Sequence, residues 1–530
     1  MKTPRLLLWI STLLASFLPH LHLAAANSTL QLPTRAQSET AKGNGIWQTT
    51  DGTATWDAKK TAIVVCDMWD RHTCEGATRR VAEMAPRMNE VVKLARERGA
   101  FIIHCPSDTM KFYEGTPQRK LAQSATKVET TIPLQRWCSL DKTKEAPLPI
   151  DDSDGGCDTA APWPKGAPYP WTRQIATIEI KAGDAVTDSA EAYYLMRERG
   201  ITNVIVMGVH LNMCVLGRPF SIRQMVAQGQ NVLLVRDLTD TMYNPQRSPY
   251  VPHPVGTDLM IDHVERYWCP TISSVAFLGG NEFRFTEDKR PHVVVLIGED
   301  EYKTWETLPV FAKENLAWRG LRVSVIQRDA SDKHRFPGLN EVLRDADVLL
   351  VSLRRRALPK EQLDAVRAHL NAGKPLIGIR TASHGFAPRG KEAEKGDSWN
   401  TFDPDVLGGN YVGHHSHGPK TSIKAAAGAE AHELLTGVDL NRLVGNGSLY
   451  QVSPLKESAK PLLIGSIEGK PAEPIAWTHS FGEKKARVFY TSLGHVEDFA
   501  NPNFRRLMLN SILWSIGQPI PPKDAPLAHP

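Results

Sequence analysis

Three side chains in the first half of this 530-residue chain have the types needed for nucleophilic chemistry. Cys214 closes the segment Val204-Ile-Val-Met-Gly-Val-His-Leu-Asn-Met-Cys214. There an apolar, β-branched strand turns after Gly208 into a helical run expected to reach about Gln228. A cysteine at a helix N-terminus faces unpaired backbone N–H groups and the positive end of the dipole, which favour thiolate over thiol. Alone, such a cysteine is more often a small apolar filler. Two more residues alter that balance. Asp67 directly follows the run Ala62–Cys66, and Lys181 directly follows Ala176–Ile180, which reads as another strand. Sites in open parallel sheets form at the carboxyl ends of strands, so all three are expected on one rim. An aspartate there can take the thiol proton, and a lysine can hold the thiolate and the developing negative charge.

The elements that must position them follow an α/β rhythm. From Thr61, strands at 62–66, 101–104, 176–180, 204–209 and 231–235 alternate with helices at 77–98 and 189–199 and with the run after Cys214. Residues 131–172 break the rhythm with prolines, tryptophans and the acidic patch 151–154, and read as an insertion able to act as a lid. A second series starts at His292, with strands at 322–327, 346–352, 375–379 and 488–492. The expected fold is α/β: two doubly wound domains, each a mainly parallel sheet flanked by helices. The boundaries read as 1–26 export signal, 27–57 linker, 58–285 first domain, 290–517 second domain and 518–530 a loose Pro-rich tail.

Lys2 and Arg5, the apolar run Leu6–Phe17 and Ala24-Ala25-Ala26 have the order of a cleaved signal, which implies an exported protein. No later segment reads as a membrane span. The net charge of +5 is spread thinly, with no Lys/Arg block, so nucleic acid is excluded as a natural partner. The seven cysteines are an odd count for an exported chain, leaving one free; Cys138 and Cys157, bracketing the irregular stretch, are the expected disulfide.

Taken together, Val64-Val-Cys-Asp67-Met, Ile178-Glu-Ile-Lys181-Ala-Gly and Gly208-Val-His-Leu-Asn-Met-Cys214-Val resemble the isochorismatase-like cysteine hydrolase superfamily over about residues 58–280. The resemblance implies hydrolysis of a small amide-type C–N bond through a thioester, with Asp67, Lys181 and Cys214 as the triad and no cofactor required. It also implies a cis peptide at Val209–His210 and an oxyanion hole from the backbone N–H groups of His210 and Cys214. His210 is bulkier than the family pattern, and Trp69 and His104 are candidate pocket residues. Some relatives bind a divalent metal through Asp-x-His and a further His. Asp70-Arg-His72 and His104 offer those types at a spacing that fits poorly.

In the second domain, Lys374-Pro-Leu-Ile-Gly-Ile-Arg380-Thr-Ala-Ser-His-Gly-Phe386 has the strand-to-turn form at which class I glutamine amidotransferases carry a cysteine. Arg380 stands there instead, and no cysteine follows Cys269, so that glutaminase chemistry is excluded. With 475–479, 487–495 and 504–514, this domain resembles the trehalose-utilisation (ThuA-like) family over about residues 290–517. His414, His415 and His417 are candidate metal ligands, or simply part of a Gly-flanked loop. The rival to an amide hydrolase is a sugar-binding or sugar-modifying protein acting through this domain, with a carbohydrate as partner and the first domain as scaffold. A homo-oligomer is compatible with either.

Overall fold

The computed structural model describes residues 28–39, 42–43, 45, 47–159, 163–164, 166–329 and 331–527. The stretch 1–26, expected as an export signal, lies outside the described residues. The chain forms a mixed α/β structure in two domains, each built on a large, mainly parallel sheet flanked by helices.

The first sheet contains β1 (Thr29–Glu39), β2 (Trp47–Asp57), β3 (Thr61–Cys66), β4 (Phe101–Cys105), β5 (Ala185–Val186), β6 (Asn203–Val209), β7 (Asn231–Asp240) and β8 (Thr271–Ile272). Their order is β2-β1-β8-β7-β6-β3-β4-β5, and β8 to β5 run parallel. β3 and β6 are buried along their whole length, which is why their sequences are continuous apolar runs rather than alternations. Ile63, Val65, Ile102 and Met207 face the helix Glu75–Glu97, whose stripe Val81, Met84, Met88, Val91, Val92 and Ala95 is buried against them. Ala62, Val64, Val204 and Val206 face the opposite layer with Leu195, Leu216 and Met225.

Within 27–57, expected as a linker, Thr29–Glu39 and Trp47–Asp57 instead pair as antiparallel strands, from Thr29↔Asp57 to Glu39↔Trp47, and are added beside β8. Leu30 and Leu32 alternate with polar residues and are fully buried, a strand signal short enough to escape notice. Residues 176–180 are not a strand. Only Ile178 of that run is buried; the chain turns through Ala182-Gly183, where Gly183 has φ +89, and the β4 edge pairs with β5, which begins two residues after Gly183.

The second sheet contains β9 (His292–Gly298), β10 (Arg322–Gln327), β11 (Val348–Leu353), β12 (Leu376–Ile379), β14 (Thr421–Ala425), β15 (Val444–Gly445), β17 (Lys460–Ser466), β18 (Glu473–Phe481) and β19 (Ala486–Thr491); β13 (Gly413–His414) and β16 (Tyr450–Gln451) pair separately. The order is β10-β9-β11-β12-β19-β18-β17-β14-β15, parallel as far as β19 and antiparallel beyond. The described part of the tail is held rather than loose: Arg506 donates to the carbonyls of Pro521 and Ala525, and Asn315 to that of Leu527. Glu282 ties the two sheets, accepting from Arg236 of β7 and from Arg322 of β10 at 2.9 Å. Among the described residues no helix is long and apolar enough to cross a membrane.

Candidate active site

Asp67 is the first residue beyond β3 and takes the left-handed conformation, φ 46, which is uncommon for a residue other than glycine. Its N–H donates to the Cys105 carbonyl and its own carbonyl accepts from Trp69 N–H, so the turn aims a fully buried carboxylate across the strand ends. Oδ1 accepts the Ser107 N–H at 2.7 Å. Oδ2 has no hydrogen-bond partner and lies 3.5 Å from Arg218 Nε, and the Cys214 thiol interacts with the same carboxyl group.

Cys214 opens a helix that is only one turn long, Cys214–Gly217. The expected run to Gln228 is broken by Pro219, which forces Arg218 into an extended conformation (φ −70, ψ 159) before helix resumes at Ile222–Ala227. That break sends the Arg218 side chain back over the strand ends. Nη2 reaches Asp108 Oδ2 at 3.2 Å and the guanidinium lies 5.7 Å from the Trp137 ring. The sequence alone does not single out Arg218; the Arg-Pro pair after the cysteine is the signal that could have done so.

Lys181 does not join this cluster. Its side chain is 55% exposed and its ammonium sits 2.9 Å from Glu179, while its backbone N–H donates to Asp184 Oδ2. The structure thus brings Asp67 and Cys214 together and supplies Arg218, not Lys181, as the cation beside them. The absence of a strand at 176–180 is the cause.

The electrostatics also differ from a simple helix-end thiolate. Burial pushes the Cys214 thiol well above the ordinary range, the Asp67 charge pushes it further, and Arg218 opposes both. Burial likewise raises the Asp67 carboxyl to about 6, against the pull of Arg218, the thiol and the Ser107 amide. The resting pair is therefore a neutral thiol beside a carboxylate.

The Val209–His210 peptide is cis. The His210 carbonyl accepts from Met213 and Val215 N–H, closing the turn, while the His210 and Cys214 amides donate to no acceptor among the described residues. The His210 ring is buried, its Nε2 is unpartnered, and burial with the neighbouring His72 keeps it neutral. It meets His72 edge-on at 4.8 Å. From there an aromatic wall extends: Trp69 stacks on Trp171 at 4.6 Å, and Trp171 on Tyr169 at 4.2 Å. Trp171 and Tyr169 come from the irregular insertion, whose Cys138 N–H also donates to Gly217 O at 2.7 Å. Cys157, in the same insertion, is disulfide-bonded to Cys74 and not to Cys138, which stays free.

His104 is not a wall residue. It is fully buried below the rim, with Nδ1 at 3.0 Å from Gln174 and Nε2 at 3.2 Å from Asp184. Asp70 accepts both the N–H and the O–H of Thr172, and His72 Nδ1 accepts the Cys74 N–H. Asp70, His72 and His104 therefore offer no converging set of ligand atoms.

The second sheet carries Arg380 at its strand-to-turn position, directly after β12. Residues 293–515 match the ThuA family model, described as trehalose utilisation. Within the ThuA-like region, His414 and His417 rings lie 4.9 Å apart and His414 Nδ1 meets the His415 carbonyl. Among the described residues these three do not form a converging ligand group. Solved structures similar to the chain include a protein from Parabacteroides merdae described as ThuA-like, at 15% identity, covering 46% of this chain and 97% of its own, with a TM-score of 0.33. A cysteine hydrolase from Pseudomonas syringae pv. phaseolicola is 14% identical over 42% of this chain and 91% of its own, TM-score 0.26. An isochorismatase family protein from Desulfovibrio vulgaris is 17% identical over 41% and 95%, TM-score 0.23. No curated protein sequence matches the chain.

Proposed function

We propose that the first domain is a cysteine hydrolase of a small amide-type C–N bond, with Cys214 as nucleophile, Asp67 as general base and Arg218 as the cation that positions and ionises Asp67. The observation that carries this is the buried Asp67 carboxylate held between the Cys214 thiol and Arg218 Nε, with Oδ2 otherwise unbonded. As Sγ bonds to the substrate carbonyl carbon, the thiol proton passes to Asp67 Oδ2, so no free thiolate is needed beforehand. The oxyanion falls to the unengaged amides of His210 and Cys214. Collapse breaks the C–N bond, Asp67 returns the proton to the leaving nitrogen, and a thioester remains on Cys214. Water then attacks the thioester, Asp67 accepts one of its protons, and the carboxylic acid departs as the thiol reforms.

Turnover of a panel of small amides, ureides and carbamoyl compounds, with intact-protein mass spectrometry for an acyl adduct, tests this. Turnover that is lost in Cys214→Ala and in Asp67→Asn supports it; undiminished turnover in Cys214→Ala refutes it. Export, supported by the Cys74–Cys157 disulfide, belongs to the same proposal. The second reading, a sugar-handling protein, is favoured by the ThuA match alone. A sugar-induced thermal shift that survives Cys214→Ala, in a protein that cleaves no amide, would select it.

A further inference from the structure

The parallel strands β9, β11, β12 and β19 all end at one rim of the second sheet, the place where doubly wound folds bind ligands. Two arginines that leave these strands are left-handed: Arg380, after β12, with φ 43, and Arg355, after β11, with φ 52. Non-glycine residues keep such a conformation only where the surroundings impose it, and these positions cluster at binding and active sites. Arg380 is 2% exposed and sits 4.1 Å from the Tyr302 ring and 4.7 Å from the Tyr450 ring. Its guanidinium donates to the Ser492 and Ser448 carbonyls, while Nε has no partner.

The charge at this rim is not neutralised. Arg354 and Arg356 pair with Glu301 and Asp300, but Arg355, Arg380 and Arg389 have no ion pair among the described residues. Of the buried carboxylates nearby, Asp403 accepts the Tyr411 N–H, keeps Oδ1 unpartnered and is raised by burial to about 6, while Glu299 and Asp498 are saturated internally. Glu299 accepts the N–H groups of Glu301, Tyr302 and Thr304, and Asp498 those of Asn446, Gly494 and His495. His384 faces the same arginines; burial first, then Arg355, holds it down at about 3, so it is neutral. Its Nδ1 meets Ser383 Oγ at 3.1 Å, and its ring stacks on Tyr411 at 4.5 Å, which in turn packs 4.7 Å from Tyr450. Guanidinium groups without ion-pair partners, buried at Arg380, half-buried at Arg355 and exposed at Arg389, next to a stacked aromatic face, make a place for an anion that carries a ring.

We propose that the second domain holds a binding site for a small ring-shaped molecule bearing a carboxylate or phosphate, with Arg355 and Arg389 receiving the oxyanion, Arg380 supplying buried positive charge, and Tyr411 with His384 offering the stacking face. This site is independent of Cys214 and stands whether or not the first domain is a hydrolase.

Isothermal titration of the full-length protein with D-glucuronate, D-glucose 6-phosphate, D-glucose and inorganic phosphate tests it. One of the two charged sugars binds, more tightly than glucose and less tightly as salt is raised, and which one binds separates carboxylate from phosphate. Arg355→Gln weakens that binding about ten- to hundredfold, the range for a charge-assisted hydrogen bond. Arg389→Gln, at an exposed position, keeps the test decisive should Arg355→Gln fail to fold; Cys214→Ala leaves the affinity unchanged. Absence of binding at millimolar concentrations, glucose binding as tightly as its charged analogues, or undiminished affinity in both arginine variants overturns the proposal.

Discussion

Arg218 Nε and Asp67 Oδ2 face each other at 3.5 Å across the ends of the first sheet, with the Cys214 thiol beside the same carboxyl group. The guanidinium partly reverses what burial does to the carboxyl and so favours the carboxylate, the form that can accept a proton. The sign of the pH dependence follows. Asp67 works as a carboxylate, and its carboxyl is raised to about 6, so kcat/KM for a cleaved amide rises as pH climbs through about 6. Arg218→Leu removes the opposing charge and moves that acid limb to higher pH. A pH–rate profile of both proteins checks it.

The same raised carboxyl costs stability at neutral pH. A folded-state value above the unfolded one means that Asp67 destabilises the fold progressively as pH rises from about 4 to about 6. Asp67→Asn is therefore expected to be inactive yet more stable at pH 7, by an amount on the order of 2 kcal/mol. Denaturant unfolding at pH 7 measures this; a destabilised variant would mean that the carboxylate is better solvated than its burial implies.

Lys181→Ala should change kcat/KM by less than about twofold and stability by less than about 0.5 kcal/mol, as for other exposed ion pairs. Steady-state kinetics on any amide the wild type cleaves decides this. A loss comparable to that in Cys214→Ala would return Lys181 to the site.

Arg80 is buried between Asp240 at the end of β7 and Asp158 of the insertion, 2.7 Å from each. Although Asp240 is fully buried, His253 and Arg80 hold its carboxyl well below the usual range. Removing one partner strands the other charges, so Arg80→Met should cost about 3–5 kcal/mol in equilibrium unfolding.

Alkylation of the denatured, unreduced protein should label Cys66, Cys105, Cys138, Cys214 and Cys269 and leave Cys74 and Cys157 as one linked peptide pair. Protection of Cys138 would restore the Cys138–Cys157 pairing that the sequence suggests.

The buried parallel strands are legible in sequence because full burial leaves continuous apolar runs, and Asp67 and Cys214 are legible because their positions follow from those runs. Lys181 misleads because Ala176–Ile180 has strand composition but only Ile178 finds a core to enter. Arg218 is hidden because its role depends on a helix stopping after one turn, a tertiary consequence of Pro219 rather than of any pattern among charges. The hairpin of residues 29–57 is hidden because its two buried leucines lie in a largely polar stretch. The thiol's protonation state is hidden as well: a helix end favours thiolate, and burial beside a carboxylate outweighs it.

The pH dependence of Cys214 alkylation by iodoacetamide, followed by peptide mass spectrometry without substrate, bears most directly on the proton-sharing pair. In the wild type Cys214 should react near neutral pH no faster than an ordinary thiol, and Asp67→Asn should react faster, because the carboxylate that suppresses ionisation is gone while Arg218 remains. Rapid labelling of the wild type at pH 7, or equal rates in the two proteins, would contradict a neutral thiol held against the Asp67 carboxylate.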